Sequence, residues 1–163
     1  MGAYRRLVAR LGHQRWFAVM LRQFGGARLD GWLYRRSDGR LAITGLGLFP
    51  VLLLTTTGRR TGRPRTTPVI YIRDGANLVI SSEHFGQQRP AAWPLNLRAD
   101  PVATVRLGDA SAAYRARLAA AGEIERYWPA LLEAWPAHET YRARSGARHV
   151  FVLEPCGSLV EQR

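Results

Sequence analysis

The sequence has no lysine, a single cysteine and no long uninterrupted apolar run. With Cys156 alone, no disulfide can close within the chain and no cysteine-based metal site can be assembled from it. That favours a reducing compartment, and a cytoplasmic location is expected. No apolar stretch is long enough to span a bilayer. The chain also lacks the His-Glu-x-x-His pattern of a zinc hydrolase. Its four histidines, His13, His84, His138 and His149, are scattered, and no nucleophile–base pair stands out. No metal site is expected.

What is present is arginine. All 24 basic residues are Arg, giving a formal net charge of +12. Abundant Ala, Gly and Pro point to GC-rich coding as one source of the excess; an acidic partner is the other. Arg is the cation best shaped for phosphate and carboxylate, because its planar fork donates two parallel hydrogen bonds. Where the arginines lie therefore matters more than how many there are. Nucleic-acid binding would rest on net charge alone, since the interleaved aromatic surface it usually needs is missing. No nucleic-acid partner is expected.

At 163 residues the chain suits one compact domain that buries roughly two thirds of its unfolded surface. Tyr4, Leu7, Val8, Leu11, Phe17, Leu21 and Phe24 recur among Arg5, Arg6, Arg10, His13, Arg15 and Arg22, the pattern of an amphipathic helix. The interrupting charges exclude a signal peptide. Two readings stand for residues 3–24: a helix that covers the domain, or peripheral membrane contact through a basic face. Gly25-Gly26 ends this helix, and Leu29 to Arg36 forms a short second one before a turn at 37–40. Residues 1–40 are thus read as an N-terminal helical extension and residues 41–163 as the β-rich domain.

Within that domain, Val51 to Thr57 reads as a buried strand. Pro68 to Arg73 and Asn77 to Ser82 flank Asp74-Gly75, a hairpin signal. Ala91 to Ala99 reads as a short helix stopped by Asp100-Pro101. Val102 to Leu107 and Ala112 to Leu118 form a second hairpin around Gly108-Asp109, and Val150 to Glu154 a last strand. Between them Ile124, Tyr127, Trp128, Leu131, Leu132 and Trp135 keep helical spacing, with a kink or a break into two helices expected at Pro129. Six or more hairpin-linked strands with few helices predict an α+β fold: a mostly antiparallel barrel with peripheral helices, not a doubly wound nucleotide fold.

The segment Gly58-Arg59-Arg60-Thr61-Gly62-Arg63-Pro64-Arg65 sets four guanidinium groups and two glycines between strands. Glycines let the backbone turn and approach a ligand, while the arginines can converge on an anion. The segment matches neither the P-loop nor the dinucleotide fingerprint. A solvated basic turn is the plain alternative.

The run from Leu52 through Thr55-Thr56-Thr57-Gly58 to Pro68 resembles the signature of the deazaflavin-dependent nitroreductase family of actinobacteria and their relatives. Further matches follow in order: Arg73-Asp74-Gly75, Ser81-Ser82, Trp93 with Leu95-Asn96-Leu97, Ala99-Asp100-Pro101, Tyr127-Trp128-Pro129 and Val152-Leu153-Glu154-Pro155. The resemblance implies a split β-barrel of the FMN-binding-like kind and use of coenzyme F420, an 8-hydroxy-5-deazaflavin with a phospholactyl oligoglutamate tail; FMN is the alternative cofactor. It implies that Arg59, Arg60 and Arg65 hold the phosphate and glutamate carboxylates, and that Thr57, Gly58 and Pro68 shape the groove. Ser81, Ser82, Trp93 and Asn96 would lie nearer the ring or its ribityl chain, although an aromatic such as Trp93 on a short helix also suits a core. The implied reaction is hydride transfer from reduced deazaflavin to a nitroaromatic, quinone or enone.

Two departures bear on substrate and affinity. In relatives that reduce bulky nitro compounds, the segment aligned with Trp135 to Tyr141 is rich in tyrosine. Here only Tyr141 matches. Tyr141 is therefore the first candidate for a hydrogen bond to substrate, with His138 as a proton source and Trp135 beside them; a surface His and a packed Tyr are the plain alternative. Where relatives carry Lys after the Ser of the third strand, this chain has Glu83 followed by an inserted His84-Phe85. An acid there opposes an anionic cofactor. A rival reading keeps the barrel and makes it a binding protein for flavin, haem or a lipid-like ligand, since fold alone does not choose. Barrels of this type often pair, so a homodimer is a further expectation.

Overall fold

The computed structural model describes residues 50–83, 91–146, 149–156 and 160–161. The predicted helices at 3–24 and 29–36, the extension over 1–40 and the His84-Phe85 insertion lie outside the described residues. In chain order the elements are β1 (Val51–Thr57), β2 (Pro64–Asp74), β3 (Asn77–Ser82), α1 (Ala92–Ala99), β4 (Val102–Leu107), β5 (Ala110–Leu118), α2 (Ala121–Ala134), α3 (Ala137–Ser145), β6 (His149–Pro155) and β7 (Val160–Glu161). The strands run in the order β4-β1-β2-β3-β6-β5-β7, and a further β4–β5 pairing closes the first six into an antiparallel barrel. This is the α+β, antiparallel barrel with peripheral helices that the hairpin order predicts, and the split barrel that the resemblance implies.

Alternation along the strands divides the apolar residues between two layers. Leu52, Leu54, Val69, Leu78, Ile80, Val105, Tyr114, Phe151 and Leu153 fill the barrel interior, and Trp93 and Leu97 of α1 pack against the same cluster. On the outer face Val79, Val150 and Val152 meet Tyr127, Trp128 and Leu131 of α2. Each large side chain so buried contributes about 1.5–3 kcal/mol. The two clusters fix α1 and α2 to different sides of one wall.

Three boundaries differ from the sequence reading. Strand β2 begins at Pro64 rather than Pro68, because Arg65, Thr66 and Thr67 pair with Thr56, Thr55 and Leu54, and the Thr55 and Thr66 hydroxyls bond at 2.8 Å. Proline is tolerated at a strand's first position, where its missing donor costs least. Strand β5 begins at Ala110, two residues early, because Gly108 at φ 58° and Asp109 suffice for the turn. Helix α2 runs without interruption through Pro129; the break comes at Trp135-Pro136, where the residue before proline is extended at φ −147° and ψ 95°. The buried Tyr127, Trp128 and Leu131 hold the helix across the proline. The two-residue β7, paired with Ala110 and Ser111, was not anticipated.

Antiparallel register brings the end of β1, the start of β2, the end of β3 and the start of β6 to one rim. The arginine segment, Ser81, Ser82 and Glu83 all lie on that rim. Helix α3 ends at Ser145, and β6 begins on that rim at His149.

Candidate cofactor groove and active site

The arginine segment is the tight connection between β1 and β2. Gly58 N–H donates to the Arg63 carbonyl at 2.9 Å, and the Gly58 carbonyl accepts from Thr61 and Gly62 at 2.9 and 2.8 Å. A side chain at Gly58 would meet Thr61 Oγ1 at 2.9 Å, the Arg63 carbonyl at 3.0 Å and Arg65 Nε at 3.2 Å, so only glycine fits without displacement. Gly62 sits at φ 64°, in the left-handed region that glycine enters freely.

The turn is held from beneath by α1. Asn96, 2 % exposed, donates from Nδ2 to Thr56 Oγ1 at 3.0 Å and accepts the Arg59 amide on Oδ1 at 3.2 Å. One buried amide thus ties helix, strand end and loop together. Arg59, Arg60, Arg63 and Arg65 are exposed, and among the described residues none forms an ion pair with a carboxylate. Four cations on a braced turn, none in an ion pair among the described residues, suit a ligand bearing several negative groups. The donor set therefore fits a phosphate and carboxylate tail. Beside the turn a cleft of about 270 Å³ is lined by Thr55, Thr56, Thr57, Gly62, Pro64, Asp100, Val102, Ala103 and Thr104.

A second, buried cluster stands at the end of β3. Ser81 and Glu83, two residues apart, share the outer face that Val79 begins. The Ser81 hydroxyl donates to Glu83 Oε1, and His138 Nδ1 lies 2.6 Å from Glu83 Oε2. Glu83 is 2 % and His138 5 % exposed. His138 also packs on Trp128, ring centroids 6.2 Å apart. Its other nitrogen, Nε2, is buried with no hydrogen-bond partner among the described residues. Tyr141, one turn along α3, is buried, and burial pushes its hydroxyl up to about 12, with the Glu83 charge adding to the rise; the Trp135 indole, bonded to it, works the other way. Tyr141 therefore stays a neutral phenol.

The sequence-predicted residues fall into two groups. Thr57, Gly58, Arg59, Arg60 and Arg65 gather at the β1–β2 turn, with Asn96 under them. Trp135, His138 and Tyr141 are brought together on α3 and its entry, with Ser81 beside them through Glu83. Pro68 lies in β2 opposite Leu53, between the arginine turn and the stretch of β2 that pairs with β3. Trp93 stands apart from both, buried against Phe151 at 5.6 Å in the core. Among the described residues no three His, Cys, Asp or Glu side chains gather to hold a metal.

The family model for F420H(2)-dependent quinone reductase matches residues 26–155. The chain belongs to that family. Its members share 40 % identity with it over 81 residues in the case of an F420H(2)-dependent quinone reductase of Mycobacterium tuberculosis strain H37Rv, an overlap of 50 % of this chain and 54 % of that protein. The chain thus spans about half the length of the curated relatives it first matches. The solved structure of an F420-H2 dependent reductase superposes with a TM-score of 0.59 at 27 % identity, covering 64 % of this chain and 94 % of the other. The family's cofactor is reduced F420, and the barrel is the family's fold.

Three features of the site escaped the sequence reading. Glu83 is not a bare charge facing the groove; it is buried and partnered by Ser81 and His138. His138, expected as a proton source, meets it across 55 residues, a pairing that the sequence does not signal. The Ser81-x-Glu83 spacing marks one strand face, but nothing in the sequence says that α3 lies over it. Asn96 was read as a ring or ribityl contact, and its bonds to Thr56 and Arg59 are tertiary.

Proposed function

We propose that the chain is an F420H2-dependent reductase that passes a hydride to a small electron-poor acceptor, with quinones first and nitroaromatics and enones as members of the same chemical class. The braced arginine turn carries this reading: its four exposed guanidinium groups have no carboxylate partner among the described residues, and a buried amide holds the loop in place. Arg59, Arg60 and Arg65 grip the phosphate and glutamate carboxylates of the tail. Thr57, Gly58 and Pro68 shape the groove wall, and Ser81 and Ser82 lie towards the ring. Asn96 acts by setting the loop, and Trp93 by closing the barrel beneath it. When bound, the reduced deazaflavin supplies the hydride, so the protein's tasks are orientation, proton supply and exclusion of water. Trp135, His138 and Tyr141 form the acceptor end.

Anaerobic mixing of the full chain with F420H2 and a water-soluble naphthoquinone tests this. Oxidation of the deazaflavin should follow quinone concentration and saturate. A rate no faster than the protein-free blank would remove the reading. Parallel arms with a nitroaromatic and a cyclic enone separate the acceptors.

A further inference from the structure

Glu83, His138 and Ser81 form a chain of three polar groups inside an otherwise apolar wall. Reduction of a carbonyl or quinone by hydride needs a proton donor at the acceptor's oxygen. A buried imidazole nitrogen without a partner forfeits its hydrogen bond to water, a penalty folds usually avoid. His138 carries that penalty on Nε2, while its Nδ1 is held by a carboxylate that is itself held by a hydroxyl. An imidazole fixed at one nitrogen by an oriented carboxylate presents the other in a defined direction and protonation pattern.

We propose that His138 is the proton donor to the acceptor's oxygen through Nε2, with Glu83 and Ser81 as positioning residues; this rests on the reductase reading above. The acceptor class is a carbonyl or quinone, whose oxygen gains an electron pair as hydride bonds elsewhere on the molecule. That oxygen takes the Nε2 proton, the imidazole is left neutral, and solvent restores its proton. Two electrons and one proton arrive as hydride and one proton from His138, which reduces a quinone to its hydroquinone. A bound reduced deazaflavin would be the two-electron reductant that balances this exchange, and its second proton would pass to solvent. Glu83, 2.6 Å from Nδ1, fixes the orientation of the ring during transfer.

The test uses the full chain with Glu83→Gln, His138→Gln, the double variant and Ser81→Ala. A histidine nitrogen NMR spectrum of the cofactor-free protein should show His138 protonated at Nδ1, and E83Q should change that pattern. Turnover with naphthoquinone should fall about 100-fold in H138Q and in E83Q, and the double variant should fall no further than H138Q. The loss should appear in kcat, with F420 affinity unmoved. S81A, which keeps the carboxylate and the fold, should give a smaller loss and a smaller spectral change in the same direction. An unchanged His138 spectrum in E83Q, undiminished kcat in H138Q, or losses that multiply in the double variant would overturn the proposal. If the unaltered protein does not oxidise F420H2 at all, the reductase reading fails instead, and the NMR result still decides the positioning role.

Discussion

The Arg59 amide donates to Asn96 Oδ1 at 3.2 Å, and the same side chain donates to Thr56 at 3.0 Å. A basic turn that would otherwise be a solvated hairpin tip is thereby pinned to a helix and a strand. Replacing Asn96 by Ala removes both bonds and leaves the buried Thr56 hydroxyl without that partner. The expected cost is about 1–3 kcal/mol of stability in urea unfolding. F420 affinity should fall with it although no cation is removed. Unaltered affinity in N96A would show that the arginines need no brace.

The two glycines of the turn should fail for different reasons. Gly58→Ala crowds Thr61, Arg63 and Arg65 and must displace the turn. Gly62→Ala meets nothing within 4 Å but is strained at φ 64°, at a cost of about 1 kcal/mol. Fluorescence titration with F420 should therefore find G58A the weaker binder, with stability falling in both. Equal binding would mean that the Arg65 position is irrelevant.

Alkaline stability should report on Tyr141. Its hydroxyl ionises near 10 in the unfolded chain but is pushed up to about 12 in the fold by burial. The unfolded state thus loses its proton first as pH rises. Stability from this group is complete below pH 10 and is lost as pH climbs through 12. Denaturant unfolding between these limits should fall less steeply in Y141F than in the unaltered chain. Parallel curves would contradict the burial of the phenol.

Acid stability has a separate source where β5 meets the start of α2. Arg117 hydrogen-bonds both Glu123 carboxylate oxygens, and Glu123 also accepts the Ala120 amide at the start of α2. The Arg117 bond chiefly holds Glu123 down to about 2. Its contribution is present above the ordinary carboxylate range of about 4.3 and is lost as pH falls towards 2. E123Q should flatten that part of the pH–stability curve and lower stability at neutral pH. A curve identical to that of the unaltered chain would refute the contribution.

The fold was legible because its signals are local. Asp74-Gly75 and Gly108-Asp109 mark hairpins, and the β-branched run Thr55-Thr56-Thr57 opens the barrel wall. The arginine turn was legible too, as a dense cluster in consecutive residues. Other features depend on packing between distant segments. Pro129 signalled a kink, but burial of Trp128 and Leu131 carries α2 through it. Glu83 looked like a charge set against the cofactor until α3 brought His138 across to it. Sequence distance conceals such pairs, since a helix can lie over either face of a strand.

The central claim is that the segment from Thr55 to Pro68 is an anion clamp for a deazaflavin tail. The direct measurement is a fluorescence titration of the full chain with F420 and with FMN at two ionic strengths, repeated with Arg60→Ala and Arg65→Ala combined. F420 should bind more tightly than FMN, weaken as salt is raised, and lose both affinity and salt sensitivity in the double variant. F420 binding that ignores salt and survives loss of both arginines would return the segment to a solvated turn.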